Sequence, residues 1–134
     1  MQSLFELKTK LSVDIAIFER MKKTAETELL KSETGKYTQA VVLLSAKGNE
    51  YSILIKNALS EEKADETALL ERIKNVNDTE IRYVLCLWQD GYIDIPSYKF
   101  RKSLCTIDLK NEESLLFVMT ADGVSEIKAS TTMK

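Results

Sequence analysis

The sequence predicts an α/β fold, a mixed sheet with helices on its faces, and three observations predict it. Leu4, Leu7, Leu11, Ile15, Phe18, Met21, Ala25 and Leu29 recur with the 3.6-residue period of an amphipathic helix. Two β-prone runs, Gln39–Ser45 and Glu50–Ile55, are joined by Ala46-Lys47-Gly48-Asn49, which reads as a hairpin. The stretch Ser60–Val76 is then a second helix, and the apolar run Ile81–Trp88 follows it, so that helix and strand alternate.

The first helix extends from near the start to about Leu30. Ser12, two residues before Asp14, can cap a second segment, so residues 1–11 read as a separate or bent N-terminal helical extension. Gly35, after Ser32-Glu33-Thr34, is the left-handed cap residue expected to end this helix. In the hairpin, Val41–Leu44 shows no polar alternation, which predicts a strand covered on both faces. For the second helix, Ser60 is the expected N-cap, and Glu61 and Glu62 suit the positive end of its dipole. Glu66, Leu69, Leu70, Ile73 and Val76 then share one face, with Glu66 at the upper edge of the buried stripe. A carboxylate there needs donors from a neighbouring element or a role as acid or base, because burying it unpaired costs several kcal/mol, roughly.

After the strand Ile81–Trp88, Asp90-Gly91 signals a turn, and local pattern leaves two readings of the next segment. Pro96-Ser97 opens a helix in which Phe100, Leu104 and Ile107 share a face, or Tyr98–Arg101 alternates as a strand would. The strand reading gives an antiparallel meander and an unrelated α+β fold. Ser114–Thr120 is a further strand, Ala121-Asp122-Gly123 a turn and Val124–Lys128 a short last strand, with the tail from Ala129 expected at the surface, disordered, or continuing an edge.

With 134 residues, 44% hydrophobic and 30% charged, the chain is the size of one compact domain, 1–134. A net charge of −2 gives no global attraction for nucleic acid or an anionic membrane, and no apolar run approaches a membrane span. The start MQSLFELKTK lacks the pattern of a secretory signal, and two cysteines make no disulfide framework. The expectation is a cytoplasmic protein with Cys86 and Cys105 reduced.

The order of elements and the local wording resemble the cytidine deaminase family, small zinc-dependent nucleoside deaminases, from about Tyr37 to Lys128. AVVLLSAKG is similar to that family's first hairpin, and ILIKNALS to its nucleoside-contacting strand end and turn. ADETALLERI resembles the helix bearing the Cys/His-Ala-Glu motif, and IPSYKFRKSL the Pro-Cys-x-x-Cys helix. DTEIRYVLCLWQD and LLFVMTADGV resemble the strand between them and the closing strand and turn. The resemblance implies a three-layer sandwich with a mixed sheet of about five strands, and a helix over residues 97–107.

The family's chemistry needs zinc held by one Cys or His on the first of these helices and two Cys on the second, with a nearby Glu moving protons to and from the metal-bound water. By the resemblance, the metal positions fall on Ala64, Ser97 and Phe100, and only Glu66 matches a functional residue. None of the three can grip zinc, and the chain contains no His. The pair expected to hold the ribose falls on Leu54 and Lys56, while Asn57 and Ala58 are retained. The expected site is therefore a vestigial one of Ala64, Glu66, Ser97 and Phe100, with no catalytic residue, no metal and no cofactor. Its Glu66 is expected to accept hydrogen bonds from Ser97 or from backbone N–H groups at the start of the second helix.

Other motifs carry less. Tyr98-Lys99-Phe100-Arg101-Lys102 mixes bases and aromatics as single-strand binders do, but it also fits a solvated helix face with Phe100 buried, and the acidic balance favours that. Asp108, Glu112 and Glu113 lack metal-ligand spacing, Ser97 has no His partner, and no Gly-rich phosphate loop is present. The sequence reading is a non-catalytic deaminase-like domain that acts as a protein-interaction module or as a homo-oligomeric scaffold, since the relatives commonly self-assemble around this core. The alternative is a nucleoside- or nucleobase-binding protein, or residual enzyme, using a remodelled pocket near Tyr51, Asn57, Glu66 and Trp88.

Overall fold

A computed structural model describes residues 14–31, 37–56, 58 and 64–133. The sheet is built outward from β1 (Gln39–Ser45), every residue of which is buried. One neighbour is β2 (Glu50–Ile55), and Gln39 pairs with Ile55 and Leu44 with Glu50 in an antiparallel hairpin. The other is β3 (Ile81–Trp88), again antiparallel, with Gln39 opposite Trp88 and Leu43 opposite Val84. An interior position explains why Val41–Leu44 carries no polar residue. Gly48 turns the hairpin at φ +90°, a conformation that a side chain would strain.

Beyond β3 the sheet changes direction. β5 (Leu115–Thr120) runs parallel to β3 through Tyr83–Leu115 and Val84–Leu116, and β6 (Gly123–Lys128) returns antiparallel to β5. β4 (Ile93–Asp94), a two-residue strand the sequence reading lacked, pairs with Cys86 and Leu87 on β3. The order is β2-β1-β3-β5-β6 with β4 off the path, a mixed sheet as expected. Helices on both faces complete the three-layer α/β sandwich.

On one face lies α1 (Ile15–Leu29), whose Phe18, Met21 and Ala25 meet Ala40, Val42, Leu85, Leu87 and Phe117. The Phe18 ring meets Phe117 edge-on at 5.2 Å, and Tyr83 stacks on Phe117 at 5.5 Å. Asp14 is the cap of α1, its side chain accepting from the Ile17 N–H, where Ser12 had been the expected cap. Ser12, Gly35 and the extension 1–11 lie outside the described residues.

The opposite face carries α2 (Ala64–Asn75) and α3 (Tyr98–Ile107) over Val41, Leu43, Val84, Cys86 and Leu116. On α2, Glu66, Leu69, Leu70 and Ile73 are buried as the period requires, but Val76 is 58% exposed. The helix has ended at Asn75, and Asn77 turns the chain with φ 55°, so the period no longer applies to Val76. Ser60, the expected cap of α2, lies outside the described residues.

The ambiguous segment is helical. Pro96 and the Ser97 cap start α3, Phe100 and Leu104 are buried, and the meander reading is excluded. Two short 3₁₀ turns close the fold, Leu109–Glu113 and Ala129–Met133. The second corrects the expectation of a loose tail: Ala129 is fully buried, its N–H bonds to Ser114, and Thr132 offers its carbonyl to Arg101 at 2.9 Å. Among the described residues no helix is long and apolar enough to cross a membrane.

Candidate functional site at the α2–α3 junction

The beginnings of α2 and α3 meet above the C-terminal half of β3. Two acids, Asp65 and Glu66, occupy the first turn of α2, and the period that buries Leu69, Leu70 and Ile73 turns Glu66 inward to 5% exposure. Facing it is Ser97, the residue before α3. The Ser97 hydroxyl donates to Glu66 Oε2 at 2.9 Å and accepts the Phe100 N–H at 3.1 Å. One hydroxyl thus caps α3 and joins it to α2. The carboxylate of Glu66 also supplies, from another helix, the negative charge that α3 lacks in its own first turn.

Glu66, Asp94 and Arg101 lie within electrostatic reach of Cys86. Burial pushes the Cys86 thiol well above its ordinary range, and the charges of Glu66 and Asp94 push it further, with Arg101 opposing them weakly. A thiol raised in this way is a poor nucleophile at neutral pH. The Arg101 guanidinium bonds to the Pro96 carbonyl through Nε and to Thr132 through Nη1, and sits 5.7 Å from the Tyr98 ring centre. Cys86 reads in sequence as one more apolar residue of a strand, and Asp94 as part of a turn. Only Arg101 carried a signal, within the basic-aromatic run, and that signal pointed to solvent rather than to the site.

Zinc, the metal the family resemblance implies, requires three or four ligands drawn from thiolate, imidazole and carboxylate. Ser97 and Phe100 stand at two of the implied ligand positions, a hydroxyl spent on Glu66 and a hydrocarbon ring with 1% exposure. The third is Ala64, whose methyl group is no donor. Among the described residues no group of three His, Cys, Asp or Glu side chains converges on a point. The residues present do not fit the metal.

Of the expected ligand pocket, Tyr51 and Trp88 are not brought together. Tyr51 and Val84 flank Leu43, whereas Trp88 and Ile55 flank Gln39, so Tyr51 and Trp88 lie roughly 13 Å apart along the strand direction. Tyr51 instead donates its hydroxyl to Asp78 Oδ2 at 2.7 Å, beyond the far end of α2. Asn57 lies outside the described residues. Glu66 and Trp88 remain at one end of the sheet, and Lys56 is exposed just past β2 there.

A second polar cluster went unseen in the sequence. Asp78 is 4% exposed and accepts from Asn49 Nδ2 at 3.0 Å and from Tyr51. Burial alone would raise the Asp78 carboxyl. Hydrogen bonds from Asn49, Tyr51 and Ser45, with the charge of Lys47, outweigh it and hold the group below its ordinary value. The same bond, then burial and the Asp78 charge, raises the Tyr51 hydroxyl. This cluster ties the end of α2 to the β1–β2 turn.

No protein-family model matches the sequence, and no curated protein matches it. Solved structures do. Cytidine deaminase from Mycobacterium leprae is similar at TM-score 0.63 and 17% identity over 87% of this chain and 96% of that one. The enzyme from Bacillus anthracis gives TM-score 0.66 and 13% identity over 87% and 86%, and the one from Mycobacterium tuberculosis 0.62 and 11% over 86% and 92%. At such identities the likeness concerns the fold: a helix, a hairpin, two more helices and a mixed sheet assembled as in the cytidine deaminases, so the chain has a cytidine deaminase-like fold.

Proposed function

We propose that the chain is a non-catalytic module with a deaminase-like fold, acting through contacts with a protein partner or with further copies of itself. The observation that carries this reading is the Ser97–Glu66 hydrogen bond at 2.9 Å. A hydrolytic deaminase needs an activated water and a carboxylate poised to exchange protons with it. Here the carboxylate is held by the hydroxyl that caps α3, and the implied ligand positions carry Ala64, Ser97 and Phe100. The junction acts as a joint between two helices. Removing the metal requirement leaves the fold intact because α2 and α3 are anchored by Leu69, Ile73, Phe100 and Leu104, all almost completely buried.

A second reading, binding of a nucleoside or nucleobase without chemistry, has one observation in its favour: Glu66 and Trp88 lie at one end of the sheet, an acceptor and an aromatic surface of the kinds that bases use. Metal analysis of the purified protein together with a thermal-shift panel of nucleosides and bases separates the two. The interaction module contains no stoichiometric zinc and is shifted by none of the ligands. A zinc-free protein stabilised by a nucleoside supports the second reading, and one zinc per chain overturns both.

A further inference from the structure

The α3 helix carries Lys99, Arg101 and Lys102 in its first half and no acidic residue along its length. Cations at the positive end of a helix dipole weaken the helix, so their presence calls for a reason outside it. Arg101 has one, since its guanidinium holds Pro96 and Thr132. Lys99 and Lys102 are exposed and have no ion-pair partner among the described residues. Three residues apart, they share a face of α3, and Lys102 lines a groove of about 340 Å³ between α2 and α3 whose wall also includes Glu71. Leu70 and Ile107 contribute apolar surface to that groove, and Lys74 of α2 adds a third cation, partly satisfied by Glu71 at 3.3 Å.

We propose that this face binds an acidic, Asp/Glu-rich segment of a partner protein, laid along the α2–α3 groove with its carboxylates on Lys99, Lys102 and Lys74. The argument is charge complementarity. The chain as a whole has a net charge of −2, so the attraction is local rather than global and suits a segment rather than a whole acidic surface. Apolar surface in the groove suits a segment in which Leu or Ile alternates with the acids. A single-stranded nucleic acid is disfavoured. Its stacking platform would be Tyr98, 55% exposed, one face of whose ring Arg101 already occupies at 5.7 Å. The proposal rests on the reading of the chain as an interaction module. Metal and nucleoside assays test that reading, whereas peptide binding tests this surface, so either can fail alone.

The test is a fluorescence-anisotropy titration of the full chain with two labelled probes, a twelve-residue peptide alternating Glu with Leu and a single-stranded oligothymidylate of similar charge. Two variants of equal charge change are compared, Lys99→Glu/Lys102→Glu on α3 and Lys22→Glu/Lys23→Glu on α1, each first confirmed by thermal melting to be folded. The expected result is saturable peptide binding that weakens about tenfold in the α3 variant and stays unchanged in the α1 variant, with the oligonucleotide binding more weakly than the peptide. Absence of peptide binding, equal loss in both variants, or tighter binding of the oligonucleotide would each overturn the proposal.

Discussion

Glu66 and Asp78 stand at opposite ends of α2, both buried and both hydrogen-bonded by a hydroxyl, yet they are stabilised in different ways. Glu66, 5% exposed, sits where the N-terminal ends of α2 and α3 converge and accepts the Ser97 hydroxyl. Asp78, 4% exposed, lies just past the negative end of α2, where the dipole opposes it. It is correspondingly surrounded by donors, Asn49, Tyr51 and Ser45, with Lys47 nearby. The difference teaches that a buried carboxylate in this fold need not be an acid or base. Asp78, just past the negative end of a helix, is held by a network of side-chain donors.

The sharpest break of the comparison is a pair of substitutions. Asp78→Ala leaves Tyr51 and Asn49 facing a buried gap and is expected to cost about 3 kcal/mol. Glu66→Gln keeps an acceptor for Ser97 and is expected to cost about 1 kcal/mol. Urea denaturation of both measures the gap, and equal losses would dissolve the distinction. An effect between these two, about 2 kcal/mol, is expected for Ser97→Ala, which removes the α3 cap and the Glu66 bond together; Ser97→Thr should restore most of it.

The pH dependence sharpens the same contrast. Asp78 is held below its ordinary value of 3.8, so its stabilisation is fully present above that value and is lost as pH falls through the lower folded-state value. Melting temperature followed from pH 5 downward should fall in the wild type, and Asp78→Asn should remove that part of the slope. The smallest expected signal is chemical. Cys86, fully buried with a raised thiol, should resist a thiol reagent in the native protein and react promptly once denatured. Prompt native reaction would place Cys86 in an open cleft and weaken the reading of the junction as a joint.

Much of the architecture is legible in the sequence, and for identifiable reasons. Val41–Leu44 of β1 and Val84–Leu87 of β3 declare themselves because an interior strand excludes polar residues on both faces. The inward turn of Glu66 follows from the spacing of Leu69, Leu70 and Ile73. Its bond to Ser97 is legible only through the family resemblance, because the two residues are 31 apart in the chain. The Asp78 cluster is not legible at all, since Asn49, Tyr51 and Asp78 each look like ordinary turn or edge residues until the fold gathers them. Asn111 is a similar case: it reads as a loop residue, yet it is fully buried, accepts from the Ile81 N–H and donates to the carbonyls of Thr79 and Leu104. Buried polar pins depend on long-range geometry, and helical or strand periodicity does not encode them.

The central claim concerns what the α2–α3 junction can do, and the most direct measurement is incubation of the purified protein with cytidine and added zinc, with and without a chelator, followed by chromatography for uridine. The account predicts no uridine above the protein-free control in either condition. Uridine formed in proportion to protein and abolished by the chelator would contradict it.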